Sequence, residues 1–224
     1  MTLPQLDGPR LPPAAGGAPQ QLVVFLHGYG ADGNDLIGLG REWANLLPHA
    51  AFVSPNAPEP CAMSPMGRQW FELSMGDMAI IAAGVKRATP ALDAFLDAEL
   101  AQHNLPVGAL ALVGFSQGTM MALAVGLARN PSPKAIVGYS GALATVETLP
   151  PPGEGPAILL VHGDKDEVIP IDAMHMAREA LGQAGHPVEW HVSQGIGHGI
   201  DGEGLRLGGA FLKQAFSGTP ATRP

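Results

Sequence analysis

Ala109-Leu110-Ala111-Leu112-Val113-Gly114-Phe115-Ser116-Gln117-Gly118-Thr119-Met120-Met121-Ala122-Leu123-Ala124 joins two apolar runs through a serine flanked at two positions either side by glycine. The first run reads as a buried strand and the second as a helix, which places Ser116 on the turn between them. A serine on such a turn is held in a strained backbone conformation with its hydroxyl pushed out of the sheet. Glycine on either side lets neighbouring backbone pass without a Cβ clash. Gln117 then opens the helix. Its amide has no intrahelical acceptor and can face an oxyanion formed when a serine attacks an acyl carbonyl.

The rest of the chain alternates in the same way. Strands are predicted over residues 22–26, 51–54, 110–113, 135–138, 158–161 and 188–192. Most are continuously apolar, as expected when helices cover both faces of a sheet. Helices are predicted over 35–47, 117–128, 172–184 and 203–216. A further helix is predicted to start at Thr89-Pro90, an N-cap followed by proline at the first helical position, with Leu92, Phe95, Leu96 and Leu100 on one face. Strand and helix in alternation define an α/β fold, a single domain with a mostly parallel central sheet flanked by helices. Residues 1–20, rich in Pro, Gly and Ala, predict a flexible N-terminal arm with at most a short edge strand. The domain is expected over 21–216, with a frayed tail at 217–224. Pro150-Pro151-Pro152-Gly153 reads as a loop rather than a linker.

Bulk composition narrows the partners. The chain has 224 residues, 46% hydrophobic, enough for one core. Net charge is −8, from 12 basic and 20 acidic residues, with no basic stripe. That argues against nucleic acid and anionic membranes as partners. One cysteine, Cys61, leaves no internal disulfide and fits a reducing, cytoplasmic setting. Met1-Thr2-Leu3-Pro4-Gln5-Leu6-Asp7 has neither the basic region nor the apolar core of a secretion signal. No apolar run approaches the ~18 residues that span a bilayer, so no integral membrane contact is expected.

Where a serine sits on a strand-to-helix elbow, an acid and then a histidine are expected later in the chain, each past the end of a strand. The strand at 158–161 runs into His162-Gly163-Asp164-Lys165-Asp166-Glu167-Val168-Ile169-Pro170. The strand at 188–192 runs into Ser193-Gln194-Gly195-Ile196-Gly197-His198-Gly199-Ile200. These are the residues for nucleophilic catalysis: Ser116 to attack, His198 to take and return its proton, Asp166 to fix the imidazole tautomer. Asp164 is the rival acid, although an Asp in a Gly-Asp turn commonly bonds local backbone. Phe25-Leu26-His27-Gly28-Tyr29-Gly30-Ala31-Asp32-Gly33 follows the first long strand, and the Tyr29 amide is the candidate second oxyanion donor beside that of Gln117. His27 and His162 each sit in a His-Gly turn after a strand. No carboxylate spacing beside them supports a metal, and no cofactor is expected.

These blocks together resemble the phospholipase/carboxylesterase family of small α/β-hydrolases, which includes acyl-protein thioesterases. The matching residues are 25–30, Ser54-Pro55-Asn56-Ala57-Pro58, Trp70-Phe71-Glu72, 114–118, Tyr139-Ser140-Gly141, 162–170 and Gly197-His198, spread over residues 22–215. The resemblance implies that the second acid of Gly-Asp-x-Asp, here Asp166, completes the triad. It also implies that the residue after His-Gly and the residue after the serine, here Tyr29 and Gln117, form the oxyanion hole. Two positions depart from the pattern: Thr119 stands where the family often has glycine, and Glu167 where it often has proline. Neither performs chemistry, so altered packing is the expected consequence.

Residues 57–80 carry Pro58, Pro60, Met63, Pro65, Met66, Trp70, Phe71, Met75 and Met78 with little regular pattern. Pliable methionines beside two aromatics suit an acyl-binding wall, with Met63, Met66, Trp70 and Phe71 as its candidate residues. Cys61 reads as a passive small residue. The expected function is hydrolysis of short- to medium-chain carboxylic esters through a Ser-His-Asp triad and an acyl-enzyme. Acyl-protein thioesterase or lysophospholipase activity is the alternative within the family, and a catalytically silent binding module the alternative outside it. The expected partner is a small-molecule ester or thioester, and the family resemblance implies a monomer or weak homodimer.

Overall fold

The computed structural model describes residues 3–73, 77–145 and 149–218. In chain order the strands are β1 (Arg10–Leu11), β2 (Gln21–Leu26), β3 (Ala50–Val53), β4 (Glu59–Pro60), β5 (Arg68–Gln69), β6 (Leu110–Phe115), β7 (Ala135–Tyr139), β8 (Ala157–Gly163) and β9 (Val188–Ser193). The α-helices are α1 (Gly33–Trp43), α2 (Met78–His103), α3 (Gln117–Ala128), α4 (Asp172–Gln183) and α5 (Gly202–Ser217). Seven strands form one sheet in the order β1-β3-β2-β6-β7-β8-β9. Every pairing in it is parallel except β1 with β3. The chain thus folds as a single α/β domain with a mostly parallel sheet flanked by helices, as the alternation of elements predicts.

Side-chain alternation along the strands divides the interior into two layers. Leu22, Val24, Leu26, Leu110, Leu112, Ile136, Ile158 and Leu160 face α2, α3 and α4. Val23, Phe25, Ala111, Val113, Val137, Tyr139, Leu159 and Val161 face α1 and α5. The α3 helix lies deepest and is buried nearly all round, from Gln117 to Leu127, which is why its sequence shows no polar stripe. At the sheet's far edge β9 is half exposed. Its Trp190 is covered on one side by the Arg178 guanidinium, 4.8 Å from the ring centre.

Three expectations are corrected. Thr89-Pro90 does not begin a helix: α2 starts at Met78, capped by Asp77, and runs through Pro90. Its buried stripe, Ile81-Gly84-Val85-Ala88-Ala91-Leu92-Phe95-Leu96-Glu99-Leu100, continues through the proline without a break in period. Burial of that stripe outweighs the ~3 kcal/mol that an interior proline costs. Thr89 Oγ1 meanwhile donates to Val85 O at 2.9 Å. Next, residues 57–80 are not without regular structure: β4 and β5 form a small antiparallel ribbon. Finally, the segment before residue 21 is stitched to the domain. β1 pairs with β3, the Ser54 and Asn56 amides donate to Pro9 O and Asp7 O, and Leu6 is buried. At the other end Ser217 is still helical and Gly218 caps α5 at φ 72°. The remainder of the 217–224 tail lies outside the described residues.

One ion pair anchors the arm. Arg10 Nη2 lies 2.6 Å from Glu99 Oε1, and the Glu99 side chain is only 4% exposed. Removing the guanidinium strands a buried carboxylate. Arg10→Met is expected to destabilise the fold by about 1–3 kcal/mol in chemical denaturation. A loss below about 0.5 kcal/mol, the ordinary value of a surface pair, would show that the arm contributes nothing through this contact.

Candidate active site

Ser116 joins the carboxyl end of β6 to the first residue of α3, at φ 54° and ψ −117°. This conformation costs a residue with a Cβ on the order of 1–3 kcal/mol and persists only where the surroundings enforce it. The enforcement is visible. The Ser116 amide donates to Tyr139 O on β7 at 2.9 Å. A Cβ on Gly118 would lie 1.8 Å from Leu26 O, and one on Gly114 would lie 2.4 Å from Gly118 O. The first turn of α3 therefore rests directly on the end of β2, backbone on backbone.

That contact sets the His27-Gly28-Tyr29 turn beside the serine. A Cβ built on Gly28 would come within 3.4 Å of Ser116 Cβ. The turn is held from two sides. The Ala57 amide donates to His27 Nε2 at 3.0 Å, and the Trp70 indole donates to His27 O at 3.0 Å. The neighbouring Cys61, together with burial, pushes the Tyr29 phenol's pKa up. Among the described residues, neither the Tyr29 nor the Gln117 amide has an acceptor, so both remain available to a ligand oxygen.

Past β8, Asp166 is enclosed, its side chain 0% exposed. Its Oδ1 accepts from the Val168 and Ile169 amides, each at 2.9 Å. Its Oδ2 lies 2.8 Å from His198 Nδ1. Burial works against the carboxylate charge, but the bonds from His198, Ile169 and Val168 outweigh it and hold the Asp166 pKa below its usual value. An ionised carboxylate only accepts, so His198 Nδ1 carries a proton and Nε2 is the ring nitrogen left free of Asp166. The His198 ring packs on Phe115, the residue before the serine, with ring centres 4.9 Å apart. Neither Ser116 Oγ nor His198 Nε2 bonds another described residue; catalytic Ser–His bonds are often long before substrate arrives.

The loop carrying His198 is tied at several points. Ser193 Oγ donates to Asp201 Oδ1 at 2.8 Å, and Ser140 Oγ donates to Gly199 O at 3.3 Å. The Lys165 amide donates to Ile196 O at 2.9 Å. Asp164 belongs to this scaffold. Its Oδ1 accepts from the Gly195 amide at 2.6 Å and reaches no histidine.

The four candidate wall residues do not form one wall. Trp70 and Phe71 are core residues, 1% and 0% exposed. Met63 and Met66 stand in solvent at 82% and 89% on the loop between β4 and β5. Met75 lies outside the described residues. The reason is the Gln117 side chain, whose role the sequence did not reveal. Its Oε1 accepts from the Trp70 amide at 2.9 Å and its Nε2 donates to Phe71 O at 2.8 Å, drawing both aromatics inward beneath the elbow. Of the two departures from the family pattern, Thr119 is buried, donates to Tyr139 O at 2.8 Å and packs on Gly138 and Gly141. Glu167 is exposed and displaces nothing. His27 and His162 are both buried and hydrogen-bonded to backbone, and no described group of three or more His, Cys, Asp or Glu side chains converges as a metal site would.

The comparisons with known proteins give the family. The sequence profile described as phospholipase/carboxylesterase matches residues 14–215, and the chain belongs to that family of α/β-hydrolases. Esterase YpfH of Escherichia coli K12 is 31% identical over 84% of this chain and 80% of its own. Acyl-protein thioesterase 1 of Gibberella zeae is 26% identical over 86% of this chain and 89% of its own. Among solved structures, esterase PE8 superposes with a TM-score of 0.85 at 42% identity, covering 94% of this chain and 99% of that one.

The His27 bonds carry a pH consequence. The Ala57 amide needs an unprotonated Nε2, so Nδ1–H donates to Gly28 O at 2.7 Å and the ring is neutral. Burial likewise lowers the His27 pKa. The unfolded chain then takes up a proton below about pH 6.5 that the folded chain refuses, so stability falls on acidification from there down to the folded value. The Asp166 contribution lies in a separate window, lost only as pH falls below about 4 through its depressed pKa. Thermal unfolding between pH 7 and 5 should therefore depend less steeply on pH in His27→Gln than in the parent protein. Equal slopes would show that His27 is not held neutral.

Proposed function

We propose that this protein is a serine carboxylic-ester hydrolase acting on short- to medium-chain acyl esters through Ser116, His198 and Asp166. The observation that carries the reading is the buried Asp166–His198 pair, 2.8 Å apart, presented beside a serine in a strained elbow. His198 Nε2 takes the proton as Ser116 Oγ attacks the acyl carbon. The Tyr29 and Gln117 amides receive the carbonyl oxygen as it becomes an oxyanion. Collapse expels the alcohol, which leaves with the proton from His198. Water then attacks the acyl-enzyme by the same route, freeing the acid and restoring Ser116. Asp166 stays ionised throughout, stabilising the imidazolium.

Thioester cleavage is the second reading, favoured by the matches to acyl-protein thioesterases of 26% identity. It needs the same residues and differs only in the leaving group. No helix among the described residues is long and apolar enough to cross a membrane, and the single cysteine suits the reducing cytoplasm in which we place the enzyme.

Hydrolysis of p-nitrophenyl esters from acetate to palmitate tests the reading. Turnover should peak at short or medium chains and fall by on the order of 10⁴–10⁶ in Ser116→Ala. Asp166→Asn should lose about 10⁴ by spoiling the His198 tautomer, whereas Asp164→Asn, which only loosens a loop tie, should lose far less. A loss below tenfold in Ser116→Ala removes Ser116 as nucleophile, and a reversed order for the two Asp variants removes Asp166 as the acid.

A further inference from the structure

The Asp166 carboxylate has a second histidine partner. His162, near the carboxyl end of β8 and 1% exposed, places Nε2 3.3 Å from Asp166 Oδ2. The same nitrogen lies 2.8 Å from Ile169 O. Both neighbours are acceptors: one is a carbonyl, and the other a carboxylate that its own bonds keep ionised. A nitrogen facing two acceptors must carry the proton, so His162 Nε2–H donates to Ile169 O and lies in electrostatic reach of Asp166 Oδ2. Oδ2 of Asp166 is the same oxygen that receives His198 Nδ1–H. One carboxylate oxygen thus bridges two imidazoles, while the other holds two backbone amides.

We infer that His162 is a positioning residue: its N–H, bonded to Ile169 O and 3.3 Å from Oδ2, fixes the 166–169 turn so that the Asp166 carboxylate points Oδ2 at His198. The inference rests on the triad reading above. Two features give it substance. The amides of Val168 and Ile169 orient Oδ1, so the direction in which Oδ2 meets His198 depends on where the 166–169 turn sits. His162 anchors that turn through Ile169 O and keeps its N–H within 3.3 Å of Oδ2. Misplacing the carboxylate by a fraction of an ångström tilts His198 away from Ser116, an error that raises the barrier without changing how substrate docks.

The test uses His162→Leu, which keeps bulk but lacks the donor, and His162→Gln, whose side-chain amide reaches the same point. In His162→Leu, kcat should fall about 10–100-fold with KM within about twofold. His162→Gln should recover at least about tenfold of that loss. A purely structural role predicts instead that both variants lose thermal stability together while the folded fraction keeps its kcat, and that result overturns the inference. Nitrogen-15 NMR of the unsubstituted protein gives a reading that does not depend on either variant folding. Nε2 of His162 should be protonated, and a neutral ring with the proton on Nδ1 overturns the inference directly. Ser116→Ala is assayed alongside. If turnover survives it, the triad reading fails and takes this inference with it. If turnover depends on Ser116 but His162→Leu matches the unsubstituted protein, this inference alone fails.

Discussion

The structure depends on a close backbone contact, the first turn of α3 seated on the carboxyl end of β2. No side chain fits between Gly118 and Leu26 O, and none is there. That approach forces Ser116 to a positive φ and lifts its hydroxyl above the sheet. It also brings the His27-Gly28-Tyr29 turn beside Ser116, and neither the Tyr29 nor the Gln117 amide has an acceptor among the described residues. The strain at Ser116 is supported by elements far apart in sequence: Tyr139 on β7, Thr119 on α3, and the Trp70–Phe71 segment gripped by Gln117. A site built on rigid elements in this way holds its geometry better than one built on loops alone.

Two buried histidines play matching parts at the ends of two strands. His27 closes the turn after β2 and His162 the turn after β8. Each stands before a glycine, and each bonds backbone through its ring. They differ in the sign of what they meet. His27 must accept from Ala57, which fixes it as neutral, whereas His162 donates to Ile169 O with Asp166 Oδ2 close by. The electrostatics of the site follow from these constraints. Asp166 is kept charged although it is buried, and the charge is turned toward His198.

Much of this was legible in the sequence because the chemistry is carried by short motifs on strong elements. The strand–serine–helix stretch at 110–128 reads from hydrophobic pattern alone, and the order serine, acid, histidine places each partner at a strand end. Of the two acids Asp166 lies against His198, while Asp164 accepts from the Gly195 amide. What could not be read was decided by long-range packing. The Thr89-Pro90 pair carries a true local signal for a helix start. The stripe beginning at Ile81 overrides it, and only burial against the sheet makes that stripe count. Trp70 and Phe71 look like a ligand wall until the Gln117 side chain, 46 or 47 positions away, draws them into the core. His162 looks like an ordinary turn residue because nothing in its spacing announces its bond to Ile169 O beside Asp166.

The central claim is that the elbow makes Ser116 the nucleophile, and covalent labelling tests it most directly. The folded protein is treated with an alkyl fluorophosphonate and the adduct located by mass spectrometry of its peptides. The account predicts one stoichiometric adduct, on Ser116, lost in Ser116→Ala and strongly slowed in His198→Ala. An unlabelled Ser116 in folded protein, or an adduct on another residue, would contradict it and turn the interpretation toward a hydrolase fold that binds without reacting.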